Sequence, residues 1–203
     1  QIEKIEDYKN KLVGISVIIL VGLCYNDYKN FTSRGLAHLK KIIKNFMDNY
    51  GFPKSRNIKS SIFFLKYLIL IREWFRESQN EIPEFINENI FYLGQSYAFF
   101  WQNINSDLLF NGNNKSNNSD FDLYLKRLGY SFKYKNNELG SYIILKNKKN
   151  NIALDAGPSP IKKFSNDYQA GALSFEFISN GKKIITNSGY HSKRNIKLNE
   201  LSR

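Results

Sequence analysis

Side chains able to do chemistry cluster in two places along this sequence. The first is the run Tyr50-Gly51-Phe52-Pro53-Lys54-Ser55-Arg56-Asn57, where glycine and proline interrupt a helical pattern and three polar residues follow. A guanidinium is a planar fork of donors suited to carboxylates, and a neighbouring carboxamide adds another donor. The same residues also suit a helix start: Ser55 or Asn57 would cap a helix beginning at Ile58, with Arg56 exposed beside it. Both readings are open at this level. The second place is Gly189-Tyr190-His191-Ser192, a loop sequence in which Tyr190 carries a phenol of the kind that serves as a base. His38 falls on a helix and reads as a surface residue. Glu176, between Phe175 and Phe177, reads as an exposed strand carboxylate, and Asp155 before Ala156-Gly157-Pro158 as a turn residue bonding the backbone ahead of it.

The elements that must hold these groups divide into two kinds. Leu12 to Tyr25 is the most hydrophobic run, about 14 residues against the roughly 20 that a membrane-spanning helix needs, so it reads as a helix buried on most sides. Cys24 lies in it and reads as a small buried hydrophobe with no internal disulfide partner. Phe31 to Asn49 places Leu36, Leu39, Ile42, Ile43, Phe46 and Met47 three and four apart, with Lys40, Lys41 and Lys44 on the wet side. After the loop, helical periodicity returns from Ile58 to Ser78 and again from Pro83 to Asn103. Helix, helix, loop, helix, helix is the order of stacked antiparallel hairpins.

Beyond Ser106 the pattern changes to short apolar runs between turn residues, and the polar stretch Asn113 to Ser119 is the expected domain boundary. A short helix is expected from Ser119 to Leu128. Strands are expected over Tyr130 to Lys135, Ser141 to Lys146 and Ile152 to Asp155. Ala172 to Ile178 and Lys183 to Asn187 flank Ser179-Asn180-Gly181, and Asn-Gly supplies the positive φ angles of a tight hairpin. The fold class is therefore α+β and multidomain, helical over 1–112 and sheet-forming over 113–203.

Composition supports a packed chain: of 203 residues, 42% are hydrophobic and 15% aromatic. The 30 Lys plus Arg against 18 Asp plus Glu give a net charge of +12, which favours anionic partners. No zinc-finger spacing, RNA-binding aromatic signature or basic helix stripe points to nucleic acid. Many lysines sit beside asparagines, so composition bias is a competing explanation of the charge. The chain starts at Gln1 and has one methionine, Met47, and reads as an internal piece of a longer protein.

The order strand, Asp155-Ala156-Gly157-Pro158, loop, Ala170-Gly171-Ala172-Leu173-Ser174-Phe175-Glu176-Phe177, Asn-Gly turn and Lys183-Ile184-Ile185-Thr186-Asn187-Ser188-Gly189 resembles the opening of the C-terminal β-sandwich of heparinase II/III family polysaccharide lyases. That resemblance implies the C-terminal part of an incomplete α/α toroid followed by the first strands of an antiparallel β-sandwich. The 51–57 loop resembles the family's D-G-G-H-x-S-R-N motif, with Gly51, Ser55, Arg56 and Asn57 matching and Tyr50, Phe52 and Pro53 departing from it.

What the resemblance implies is β-elimination on an acidic, uronic-acid-containing glycan. Arg56, Asn57 and Tyr190 are its candidate catalytic groups, and Ser55, Arg56 and His191 its candidate substrate contacts. The alternative is a noncatalytic glycan-binding or envelope relative that kept the fold and lost the base and the metal. Zinc is expected to be absent, because Gln169 and Asn187 stand at ligand-like positions and neither amide replaces imidazole or carboxylate. The expected partner is an acidic polysaccharide, with neither nucleic acid nor a membrane span, and the expected location is the periplasm or cell envelope.

Overall fold

Asp7 opens the first helix by accepting hydrogen bonds from the backbone N–H groups of Lys9 and Asn10 at 3.3 and 3.2 Å, which is N-cap chemistry. The computed structural model describes residues 7–102, 107–111, 119–167, 171 and 173–187. These residues fall into two compact units, Gln1–Phe52 with Ser60–Leu93, and Pro53–Lys59 with Gly94–Arg203.

The first unit is helical. Helix α1 (Tyr8–Cys24) and α2 (Lys29–Phe46) are joined through a single 3₁₀ turn, and α3 (Ile58–Glu77) and α4 (Glu84–Tyr97) follow. Leu12, Ile15 and Ile19 of α1 and Leu39, Ile42 and Ile43 of α2 are buried, the spacing expected of helices packed along one stripe. Tyr8 joins Phe46 and Phe64 in an aromatic cluster and shares a 2.7 Å hydrogen bond with Ser60 Oγ. Lys40, Lys41 and Lys44 face water as expected, and His38 is half-buried. Two expectations are corrected at α1: Val17 is 51% exposed and Cys24 is exposed. Its apolar residues run all round the helix, but within this unit α2 covers only part of that circumference. No helix among the described residues is long and apolar enough to cross a membrane.

The second unit holds the end of α4, a π-helical turn over Ala98–Gln102, helix α5 (Ser119–Arg127) and five strands. Strands β1 (Glu138–Leu139), β2 (Tyr142–Lys146), β3 (Asn150–Asp155), β4 (Phe175–Ser179) and β5 (Lys182–Ile185) form one antiparallel sheet in sequence order. Asn180 and Gly181 turn the last hairpin at φ 48° and 75°, as the Asn-Gly signal requires. Tyr130 to Lys135 is not a strand, contrary to expectation. Its aromatic residues dock by side chain instead: Phe132 lies against the bare backbone of Gly94, and Tyr134 meets the Phe99 ring edge-on at 5.5 Å. Alternating aromatics thus mimic a strand without a ladder partner. The expected boundary at 113–118 lies outside the described residues.

The sheet distributes polarity in an unexpected way. Register places Tyr142, Ile144, Ala153, Asp155, Glu176, Ile178 and Lys183 on one face, and this face, two carboxylates included, is the covered one. Leu145, Ile152, Phe175 and Ile185 share the other face and are exposed. Glu176 is therefore corrected from exposed to fully buried. Its burial is offset by partners: Lys183 Nζ at 2.8 Å, Leu109 N at 3.0 Å and Asn187 N at 3.2 Å. Lys183 in turn donates to the Asp107 carbonyl. Glu176 and Lys183 thereby satisfy the backbone of 107–111, a segment without regular structure whose Leu108, Leu109 and Phe110 are buried.

Removing one member of a buried ion pair leaves the other uncompensated and costs about 3 kcal/mol or more. Glu176→Ala is expected to lower stability by that order in urea unfolding, whereas Glu138→Ala, at an exposed position of β1, leaves the midpoint nearly unchanged.

Candidate functional site

Pro53–Lys59 belongs to the same unit as the sheet, so the Arg56 loop can be built up from that unit's own residues. Arg56 N donates to the Pro53 carbonyl at 2.8 Å, closing a tight turn, and Arg56 adopts φ 58°. A left-handed conformation disfavours a residue with a Cβ by about 1 kcal/mol or more, so neighbouring contacts must hold it. They are numerous. Arg56 Nη2 pairs with Asp155 Oδ1 at the end of β3, and Nη1 donates to the Gly140 carbonyl at 2.8 Å. The guanidinium lies 4.6 Å from the centroid of the Tyr142 ring, a cation–π distance.

Asp155 is fully buried and Arg56 only 8% exposed. The carboxylate also accepts from Gly157 N at 3.1 Å, and from Asn111 Nδ2 at 2.8 Å on its other oxygen. Tyr142 OH donates to the Arg56 carbonyl at 2.9 Å and accepts from Asn111 Nδ2. A ring of side chains and backbone thus joins the 53–57 turn, the 107–111 segment and the β2 and β3 strands around one buried ion pair. Arg56 Nε is buried without a partner among the described residues, so it offers no donor to solvent.

The expectation that Arg56 is exposed beside a cap is corrected: Asp155 draws it inward. The capping part of that reading holds for Asn57, whose Oδ1 accepts from Lys59 N at 3.0 Å as α3 begins. Ser55 is fully buried and accepts from Asn57 N at 3.3 Å. Asp155 does bond the backbone ahead of it, through Gly157 N, and carries the ion pair besides. Among the residues matching the lyase motif, Ser55, Arg56 and Asn57 are together here and all buried. Gly51, grouped with the helical unit, has φ 70°, and a Cβ there would lie 2.5 Å from Tyr92 Cβ, so its presence is explained by packing.

Tyr190, His191 and Gln169 lie outside the described residues. Asn187 is described, and both its backbone N and its side-chain Nδ2, the latter at 3.3 Å, donate to Glu176 Oε1. It acts there as a donor to a carboxylate already paired with Lys183, a setting that does not fit zinc ligation. Tyr97 is a further phenol in this unit. Burial, then its 2.5 Å hydrogen bond to Asp122, pushes it well above the ordinary tyrosine range, so it is a poor base. Sequence reasoning missed Asn111 and Tyr142 in the ring, since Asn111 precedes a glycine and resembles an ordinary turn residue.

Residues 133–203 match the family described as heparinase II/III-like, C-terminal. The chain superposes on a heparinase III gene product solved with methylated lysines at TM-score 0.76, with 14% identity over 98% of this chain and 35% of that one. Heparan sulfate lyase HepC from Pedobacter heparinus gives 0.73, 13%, 98% and 36%, and a further heparinase III 0.66, 16%, 96% and 37%. No curated protein sequence matches the chain significantly. The fold is thus α+β, the helical end and first sandwich strands of a heparinase III architecture, and the chain spans about a third of the length of those structures.

Gly157 tests the geometry of the ion pair. A Cβ at this position would lie 2.2 Å from Arg56 Cζ, too close for any side chain while the guanidinium stays in place. Gly157→Ala is expected to destabilise the unit by about 1–3 kcal/mol, measured by chemical denaturation; an unchanged midpoint would contradict the placement of Arg56.

Proposed function

We propose that the protein containing this chain is a heparinase II/III-like polysaccharide lyase that cleaves a uronic-acid-containing glycan by β-elimination. The observation that carries this reading is the heparinase III fold along nearly the whole chain, joined to the family match over 133–203. In such a reaction a base removes the proton at C5 and the uronate carboxylate is neutralised. The C5 electron pair then forms the C4–C5 double bond as the C4–O bond breaks, and the departing oxygen takes up a proton.

Within this chain, Asn57 is the proposed carboxylate-neutralising amide, its orientation set by the Oδ1 contact to Lys59 N. Arg56 is proposed to hold that loop rather than to touch the sugar, because Asp155 and Gly140 occupy its guanidinium. Tyr190 remains the proposed base, and His191 and Ser55 proposed contributors to substrate binding. No zinc is invoked: Asn187 donates to Glu176, and that carboxylate pairs with Lys183. An acidic polysaccharide is the proposed partner, in the periplasm or cell envelope.

A second reading, glycan binding without cleavage, is favoured by two specific observations. The arginine of the lyase-like motif is engaged by Asp155, and Pro53 stands at the position of the motif's histidine.

The two readings separate in one assay of the full-length protein. Incubation with heparin, heparan sulfate or alginate is expected to raise ultraviolet absorbance from the unsaturated uronate. Asn57→Ala is expected to reduce the rate at least about a hundredfold, the scale of removing a transition-state donor. Saturable binding with no absorbance change on any of these glycans would overturn the lyase reading and leave the second.

A further inference from the structure

The surface charge of the sheet concentrates at the end remote from Arg56. There the β2–β3 turn, Asn147 to Lys149, and the β4–β5 turn at Asn180-Gly181 are tied together by Asn180 N donating to the Lys149 carbonyl at 2.7 Å. Both turns are held by their own chemistry. Asn147 Oδ1 accepts from Lys149 N at 2.9 Å and from Asn150 N at 2.8 Å, and Asn180 and Gly181 take up positive φ.

This fixed backbone carries Lys146, Lys148, Lys149 and Lys182, all exposed. No acidic residue occurs in 145–152 or 177–183. Of the three carboxylates in the described strands, Asp155 and Glu176 are buried and paired with Arg56 and Lys183. The third, Glu138, pairs with Ile143, three residues short of Lys146. Lys146 on β2 and Lys182 on β5 are three strand spacings apart, roughly 14 Å. Asn150 and Asp155 stand at opposite ends of β3, about 17 Å apart at the usual rise per residue, so this surface is separate from the Arg56 cluster.

We propose that the paired turns form a second contact surface for an acidic polysaccharide. Cations spread over this span, with no acids interleaved in the turns, match an extended chain of negative charges better than one compact anion. The turns have no aromatic side chain on which a base would stack, which favours a glycan over single-stranded nucleic acid. The inference rests on the acidic-glycan reading but not on cleavage: the protein would hold a long chain here whether or not it cuts it.

Heparin binding by the full-length protein at about 0.15 M ionic strength tests this. The triple variant Lys148→Ser, Lys149→Ser, Lys182→Ser is expected to bind roughly tenfold more weakly or worse. Lys40→Ser, Lys41→Ser, Lys44→Ser makes the same change in net charge on α2 and is expected to have less than about a twofold effect, since α2 carries none of the proposed contact lysines and the general effect of net charge is screened at that ionic strength. Heparin is also expected to protect Lys148, Lys149 and Lys182 of the wild-type protein from acetylation, which needs no variant to fold. Equal losses in the two triple variants, no loss in either, missing protection, or tighter binding of poly-dT than of heparin would each overturn the proposal. Failure to release unsaturated uronate would overturn the lyase reading and leave this one intact.

Discussion

A single buried ion pair organises the second unit. Asp155 lies at the end of β3, where any carboxylate facing the covered side of the sheet must find a positive partner or lose its charge. Arg56 provides it from a turn 99 residues earlier in the chain. Once the guanidinium is drawn in, several features acquire a cause. Arg56 adopts a left-handed backbone because its carbonyl and side chain are both held, by Tyr142 and Asp155. Gly157 is bare because the guanidinium occupies the space a Cβ would need. Asn111 turns its amide inward because one oxygen of Asp155 and the phenol of Tyr142 both accept from it.

Glu176, opposite Ala153 and so two residues along the strand from Asp155, repeats this design on the next strand. It binds 107–111 through a backbone N–H while Lys183 binds the Asp107 carbonyl. Glu176 and Lys183 thus give an irregular buried segment two of the backbone hydrogen bonds that a helix or strand would have supplied, while Asp155 holds the Asn111 side chain. The cost is sensitivity, since a half-satisfied buried network is less stable than an apolar one. For function, the consequence is that Asn57 is held between two anchors, Arg56 before it and the start of α3 after it.

Much of the architecture is legible from residue pattern alone. The three- and four-residue spacing in α2 gives its wet and dry faces, and Asn180-Gly181 fixes the last hairpin because so few residues accept those φ angles. Local pattern fails where a distant partner decides. Phe-Glu-Phe reads as carboxylate out and aromatics in, and the structure reverses it because Lys183 and Leu109 meet Glu176. The Tyr130 to Lys135 alternation has the period of a strand but docks on Gly94 and Phe99 without a ladder. Arg56 is the sharpest instance: its residue type suits a substrate clamp or an exposed cap neighbour, and its burial against Asp155 comes from a long-range meeting that local pattern does not contain. The family resemblance was carried by the hairpin stretch, whose turn and strand chemistry is local, and it is there that the family match lies.

The most direct test of this account is a double-mutant cycle on stability with Arg56→Ala, Asp155→Ala and the double variant, each followed by equilibrium unfolding in urea. If the pair is the pin described here, the two substitutions are coupled, with an interaction energy of about 1–3 kcal/mol. Losses that simply add, to within about 0.5 kcal/mol, would show that the two side chains act independently and would contradict it.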